Sequence, residues 1–230
     1  MKDNCIVMFI QPPVPESVDP ALRAAFGDEK ACQIYTDMAH EVLSAAKKLA
    51  NVHVTPVYNK TAKHPDLRWL DQEDPGFLIM RNGTPAEEMM KAVRWTMDAG
   101  ARRIVILSPL SPGVPQDWVE KAFETLEEKH IVIGPAQDGA CYLIGMNGLY
   151  DEVFSRYPWP GKRMADEIAE KAKHLRLQTY NLPEFYAVHD EKTYQQWQSV
   201  AHKKEQKPAA EEAPAAAAAV PAVKNLKHQK

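Results

Sequence analysis

At 230 residues, 45% hydrophobic and 26% charged, the chain is long enough for one large domain, or two small ones, around a substantial core. A formal charge of −3 supplies no global basic field, which excludes general nucleic-acid binding. No apolar run approaches the ~18 residues of a membrane helix, so no membrane partner is expected. The first apolar run, Cys5–Ile10, is too short for a signal-peptide core and has no small-residue cleavage site after it. Cys5, Cys32 and Cys141 form no CxxC pair, which argues against a disulfide framework and against structural zinc. The expected location is the cytoplasm.

Taken in order, Cys5–Ile10 is a continuous apolar run of the kind expected for a strand buried on both faces. Ile34, Met38, Val42, Ala45 and Leu49 then recur at helical spacing over 31–49. Val52–Tyr58 and Phe77–Met80 read as strands. Thr84-Pro85-Ala86-Glu87 opens the next helix with a capping box and a proline in the first turn, and Gly100 ends it. Its apolar side is Met89, Val93 and Met97, read as packing.

Arg103–Leu107 is the clearest internal strand, and Trp118, Val119, Ala122, Phe123 and Leu126 mark one face of the helix that follows. Two short strands, Ile131–Ile133 and Cys141–Ile144, flank a Gly/Pro/Asp turn. A stripe of Met164, Ile168, Ala172 and Leu175 and a last strand over Leu177–Tyr180 complete the pattern. Strands alternating with helices predict an α/β fold, a three-layer sandwich around a mostly parallel central sheet. Composition changes near Ala201. Residues 202–230 hold six lysines and three glutamates, a net +3 against −3 for the whole chain, so 1–201 carries −6. With few large apolar residues the segment reads as a flexible Ala/Pro/Lys tail after a single domain over 1–201, with a protein partner for the tail as one possibility.

In such sheets ligands gather at the carboxyl ends of the strands, so the loops after Ile10, Leu107 and Ile133 matter most. The third, Gly134-Pro-Ala-Gln-Asp138-Gly139, places one acid between two strands. Asp138 is either a tight-turn residue in which Asp-Gly supplies hairpin geometry or a carboxylate reaching into a cleft toward a ligand or metal.

GPAQDGACYLIG, residues 134–145, resembles the GPA-x-DGG-x-YLIG signature of a bacterial glycosyltransferase-like family associated with arsenosugar biosynthesis. That family belongs to the nucleotide-diphospho-sugar transferases, with a Rossmann-like GT-A fold. Phe9-Ile-Gln-Pro-Pro-Val-Pro15 is similar to the family's first-strand loop, Phe-x-Lys-x-Pro-x-Pro-Gly. Ile104–Pro112 is similar to its strand ending Gly-Ser-Asp-x-Pro, Gly83–Met89 stands where it has Gly-Asp-Leu-Gly-x-Arg-Met, and Val188-His-Asp190 falls near its closing Asp-x-Asp.

The resemblance implies a nucleotide or nucleotide-sugar ligand and a Mg²⁺ or Mn²⁺ ion. It carries Asp138 as the catalytic or sugar contact, Asp138 and Asp190 as metal ligands, and Gln11, Pro13, Pro15, Ser108, Ser111, Gly134 and Gly139 as substrate-binding positions. The departures fall on charged residues. Gln11 stands for the first lysine, Glu16 for a glycine, Asp19-Pro20-Ala21 for a basic triplet, and Leu110 for the acid after the strand. Leucine offers no oxygen to a hard cation, and an acid in the first loop repels a pyrophosphate. The sequence therefore predicts a transferase-like protein whose metal-dependent sugar transfer is weakened or lost. A non-catalytic binding or scaffold protein and a nucleotidyltransferase acting on a nucleoside triphosphate are the alternatives.

Other chemistry finds less support. No HxH or HExxH is present among the eight histidines. His40 reads as a surface residue and Cys141 as a buried thiol; Asp190 reads as a helix cap or, with His189, as a companion of Asp138. Ser108 and Ser111 have no GxSxG elbow. Tyr157-Pro-Trp-Pro160 reads as a sugar-stacking platform or as sheet-edge cover.

Overall fold

The computed structural model describes residues 2–73, 75–79, 83–154 and 163–205, side chains of 201–205 excepted. The segment Tyr157–Pro160, the cations Arg81, Arg156 and Lys162, and the chain from 206 onward lie outside the described residues. Six strands, β1 (Asn4–Ile10), β2 (Val52–Tyr58), β3 (Arg103–Leu107), β4 (Ile131–Pro135), β5 (Cys141–Met146) and β6 (Thr179–Asn181), form one sheet in the order β2-β1-β3-β5-β4-β6. Only β5 runs antiparallel to its neighbours; every other pairing is parallel.

The apolar runs explain the layering. β1 alternates Ile6, Met8 and Ile10 toward one core with Cys5 and Val7 toward the other. The first core is covered by α1 (Pro20–Phe26), α2 (Asp28–Lys47), α4 (Gln116–Thr125) and α7 (Glu191–Glu205); the second by α3 (Pro85–Asp98), α5 (Asp151–Phe154) and α6 (Met164–His174). α2 buries Ala31, Ile34, Tyr35, Met38, Val42 and Ala46; of the stripe read from the sequence, Ile34, Met38, Val42 and Leu49 are buried, while Ala45 is half-buried and Ala46 takes the core position. The chain moves from β1 to β2 on one side and then crosses to β3 on the other. The strand order thus reverses between β1 and β3, the position at whose carboxyl ends open α/β sheets take their ligands. No helix among the described residues is long and apolar enough to cross a membrane.

Four local expectations need correcting. The described part of the expected strand Phe77–Met80, residues 77–79, forms a single bridge rather than a strand. Only Leu78 pairs, taking the Tyr58 N–H and giving its own to Pro56, each at 2.9 Å, because Gly76 at φ 70° has just turned the chain. Leu175 is 39% exposed: it caps α6, and Arg176 at φ 58° redirects the backbone. Met97 is only half-buried, while Met89 and Met90 are core. The last strand forms at Thr179–Asn181, two residues later than its apolar start suggested. α7, docked by buried Trp197, whose indole N–H donates to Glu41 at 2.7 Å, runs through the expected boundary at 201.

Two predictions test this packing. A Cβ on Gly134 would stand 2.6 Å from the fully enclosed Tyr142 ring and 2.9 Å from Leu143 Cβ. Gly134→Ala is therefore expected to cost about 1–3 kcal/mol in urea unfolding. The Thr84–Glu87 capping box is present on both arms, and Thr84→Ala is expected to cost about 1 kcal/mol by the same measurement.

Candidate functional site

Three of the loops at the carboxyl edge are drawn together by the stretch between β6 and α7. Leu182 donates to Ile133, Phe185 to Pro135 and Val188 to Leu110, at 2.8, 3.0 and 2.8 Å, and the Gln137 N–H returns a bond to Phe185 at 2.9 Å. The Tyr142 hydroxyl donates to Pro183 at 3.0 Å and the Tyr186 hydroxyl to Pro112 at 3.3 Å. This backbone stitching delivers His189 to a fixed place.

There His189 lies between two acids. Its Nε2 is 2.8 Å from Asp138 Oδ2 and its Nδ1 is 3.2 Å from Asp19 Oδ2. Asp138 Oδ1 accepts from its own turn, the Ala140 N–H, at 3.0 Å. Asp19 Oδ1 accepts from Ala21 and Leu22 at 2.7 and 3.1 Å, capping α1. A carboxylate faces each ring nitrogen, an arrangement that favours the imidazolium form. Hydrogen bonds to Asp138, then Asp19, raise its pKa from 6.5 to about 9 against the effect of burial. His189 is the chief influence holding the Asp138 carboxyl below its ordinary value. For Asp19, burial pushes upward, but the His189 bond and charge and the two helix N–H groups bring it down.

Asp138 shapes the β4–β5 turn, with Gly139 at φ 85°, and its second oxygen meets His189. His189 does join it, whereas Asp190 does not. The Asp190 carboxylate accepts from the Thr193 N–H and hydroxyl at 2.8 and 2.7 Å and caps α7. Asp19, marked in the sequence only as a lost cation, proves to be the second acid of the cluster.

The first five residues after β1, Gln11–Pro15, have no backbone donor to spare. The Gln11 N–H donates to the Tyr35 hydroxyl and the Val14 N–H to Pro12, at 2.8 and 2.7 Å, and the other three residues of Gln11–Pro15 are prolines. Pro13 and Pro15 are half-buried and the Gln11 side chain is exposed. Arg23, near in sequence, is turned to Asp28 at 2.8 Å.

Ser108 accepts from the Leu110 N–H at 3.2 Å, and Leu110 packs against the core. Ser111 is fully buried, its hydroxyl without a hydrogen-bond partner among the described residues, in the wall of a cleft of about 880 Å³ between α2 and α4. It takes no part in the cluster. Gly134 admits Tyr142 against the backbone. Burial pushes the Cys141 thiol up to about 12, so no nucleophile stands beside Asp138.

A mostly parallel sheet with one reversed strand, and a polar cluster over its carboxyl edge, define a Rossmann-like α/β domain. The sequence model of the family described as "uncharacterized protein conserved in bacteria", DUF2064, matches residues 42–169, and the chain belongs to that family. A candidate nucleotide-diphospho-sugar transferase from Desulfovibrio desulfuricans G20 is 26% identical over 91% of this chain and 90% of its own, with a TM-score of 0.76. A CMP-2-keto-3-deoxy-manno-octonic acid synthetase complexed with CTP is 9% identical, at a TM-score of 0.54 over 87% of this chain and 99% of that one. A cytidylyltransferase from Leptospira borgpetersenii is 11% identical, at 0.55 over 91% and 96%. These last two likenesses concern the fold alone. No curated protein matches the chain in sequence.

The cluster predicts a pH signature. The stabilisation from raising the His189 pKa is complete below 6.5 and is lost as pH rises through about 9. That from the lowered acids is present above 3.8 and is lost as pH falls through their lower folded values. The melting temperature should be level between about pH 5 and 6.5 and fall toward pH 9 by a few degrees. This corresponds to about 1–2 kcal/mol, reduced from the full linkage value because the Asp138 side chain is 38% exposed. His189→Gln should lower the plateau and flatten that alkaline fall, read by calorimetry across the range.

Proposed function

We propose that the chain binds a nucleotide or nucleotide sugar across the carboxyl ends of β1, β3 and β4, with metal-dependent sugar transfer weakened or lost. The fold, and the likeness to the Desulfovibrio protein over nine-tenths of both chains, support the ligand class. The observation that carries the second half is the state of Asp138. The acid that the resemblance assigns to a metal or sugar has both oxygens engaged, by Ala140 and by His189. Leu110, in the place of the companion acid, turns its side chain to the core and its carbonyl to Val188.

The residues present do not suit a resident Mg²⁺ or Mn²⁺. Asp190 is occupied in its cap, and no group of three His, Cys, Asp or Glu able to hold a metal occurs among the described residues. Nucleotidyl transfer from a triphosphate has less support still. It needs donors at the first loop, and the Gln11–Pro15 backbone has none to spare. The chemistry left to the site is orientation: charged hydrogen bonds fix three loops around a crevice, and Asp138 is the group that can accept from a ligand hydroxyl by giving up part of its bond to His189.

A thermal-shift screen of the full chain against nucleoside diphosphates, their sugars and CTP, with and without Mn²⁺, tests this. At 100 times its dissociation constant a ligand adds about 2.7 kcal/mol, a rise of roughly 5–10 °C for a domain of this size. A rise with a diphosphate or nucleotide sugar, with no Mn²⁺-dependent release of free nucleoside diphosphate, is the expected result. No rise with any of them overturns the binding half, and Mn²⁺-dependent turnover overturns the other. Residual transfer depends on Asp138, so Asp138→Asn should remove it without altering the circular dichroism spectrum.

A further inference from the structure

The disagreement between these residues and a divalent metal has a physical content of its own. Two carboxylates from loops far apart in sequence face the same point, an arrangement that repels itself unless a cation stands between them. In this chain the cation is a side chain. All four oxygens of the pair have a facing nitrogen: Asp19 Oδ1 accepts from Ala21 and Leu22, Asp138 Oδ1 from Ala140, and each Oδ2 lies within 3.2 Å of a different nitrogen of His189. The backbone that carries the imidazole is held independently of the acids, because Val188 N–H is bonded to Leu110 O at 2.8 Å and His189 N–H to Thr193 Oγ1 at 3.1 Å.

We infer that His189 is a built-in cation: it fills, between Asp19 and Asp138, the place a divalent ion would need, and makes this crevice indifferent to metals. The inference deepens the function proposed above and rests on it for taking the crevice as the ligand site. Its geometric basis is separate: an ion bridging the two Oδ2 atoms must displace a ring that donates to both. Leu110 fits the same arrangement, since a site with an internal cation has no use for a further acid. The consequence is specific. Removing the imidazole, and nothing else, should create a metal site where the wild-type chain has none.

The probe is Mn²⁺ alone, titrated into the full chain at neutral pH with no nucleotide present and followed by loss of the free-ion paramagnetic resonance signal. Wild-type protein is expected to bind no stoichiometric Mn²⁺ below about 1 mM. His189→Ala and His189→Gln are each expected to gain one ion per chain with affinity at least about tenfold higher. Adding Asp138→Asn to His189→Ala should abolish the gain. His189→Lys keeps a cation in the pocket and should behave as wild type. Its far-ultraviolet spectrum and melting curve, with those of the Gln variant, separate loss of metal response from loss of fold. One tightly bound Mn²⁺ per wild-type chain overturns the inference without reference to any variant, and so does a folded Gln variant that binds no better than wild type. Failure of the nucleotide screen leaves the Mn²⁺ result standing, and tight wild-type Mn²⁺ binding leaves the nucleotide reading untouched.

Discussion

One imidazole between two carboxylates sets the arrangement of the carboxyl edge. Asp19 leaves the end of β1, Asp138 the β4–β5 turn, and His189 the connection to α7. Without His189 the acids would face each other at the rim of an apolar sheet, where like charges drive one of them to take a proton. With it, three chain segments close on a single point. The closure of such long loops is entropically costly, so the contact is favourable only because the sheet and the 182–188 stitching have already brought the partners near. The ion cluster is the last layer of an order that begins with buried strands.

This dependence explains what could be read in the sequence. Where a signal is local, it held: the Cys5–Ile10 and Arg103–Leu107 runs, the α2 stripe and the Thr84 capping box each record a choice made within a few residues. The three-layer plan followed from their alternation. Misreadings arose where a neighbour decided. Leu78 has strand composition but only a single bridge, because a glycine turn precedes it. Leu175 continues a periodic stripe but falls on the cap, where the backbone leaves the core. The site was legible to the same degree. Asp138 could be found from its Gly-flanked turn. Asp19 could be noticed only as an anomaly, and its pairing with His189 had no signature, because it exists only once the sheet is assembled.

The departures from the family pattern also become mutually consistent in three dimensions. Asp19, which replaces part of a basic triplet, caps α1 and answers His189. Leu110, in the place of an acid, packs on the core while its carbonyl anchors Val188, the residue before His189. At Gln11 the backbone N–H serves the enclosed Tyr35 hydroxyl, whose pKa burial pushes well above its ordinary value. Of these replacements Asp19 alone makes side-chain bonds; those at Leu110 and Gln11 come from the backbone, and they show the loops fitted to one another rather than collapsed.

The electrostatic remainder constrains the ligand. Two carboxylates and one imidazolium leave a single net negative charge at the crevice. At an effective dielectric of about 20, a phosphate charge held 6 Å away would meet about 3 kcal/mol of repulsion. A free nucleoside diphosphate carries one more negative charge than the same group esterified to a sugar, so the penalty grows in the wrong direction for the smaller ligand. Donors for those charges must come from outside the cluster and from outside Gln11–Pro15, whose N–H groups are all engaged. Hydroxyls have no such conflict, because a carboxylate that shares its hydrogen bond with a ribose or a sugar keeps its charge compensated by His189. For the nucleotide or nucleotide-sugar ligand proposed above, this balance would put the sugar rather than the phosphate in the lead, the reverse of a site organised around a metal–diphosphate pair.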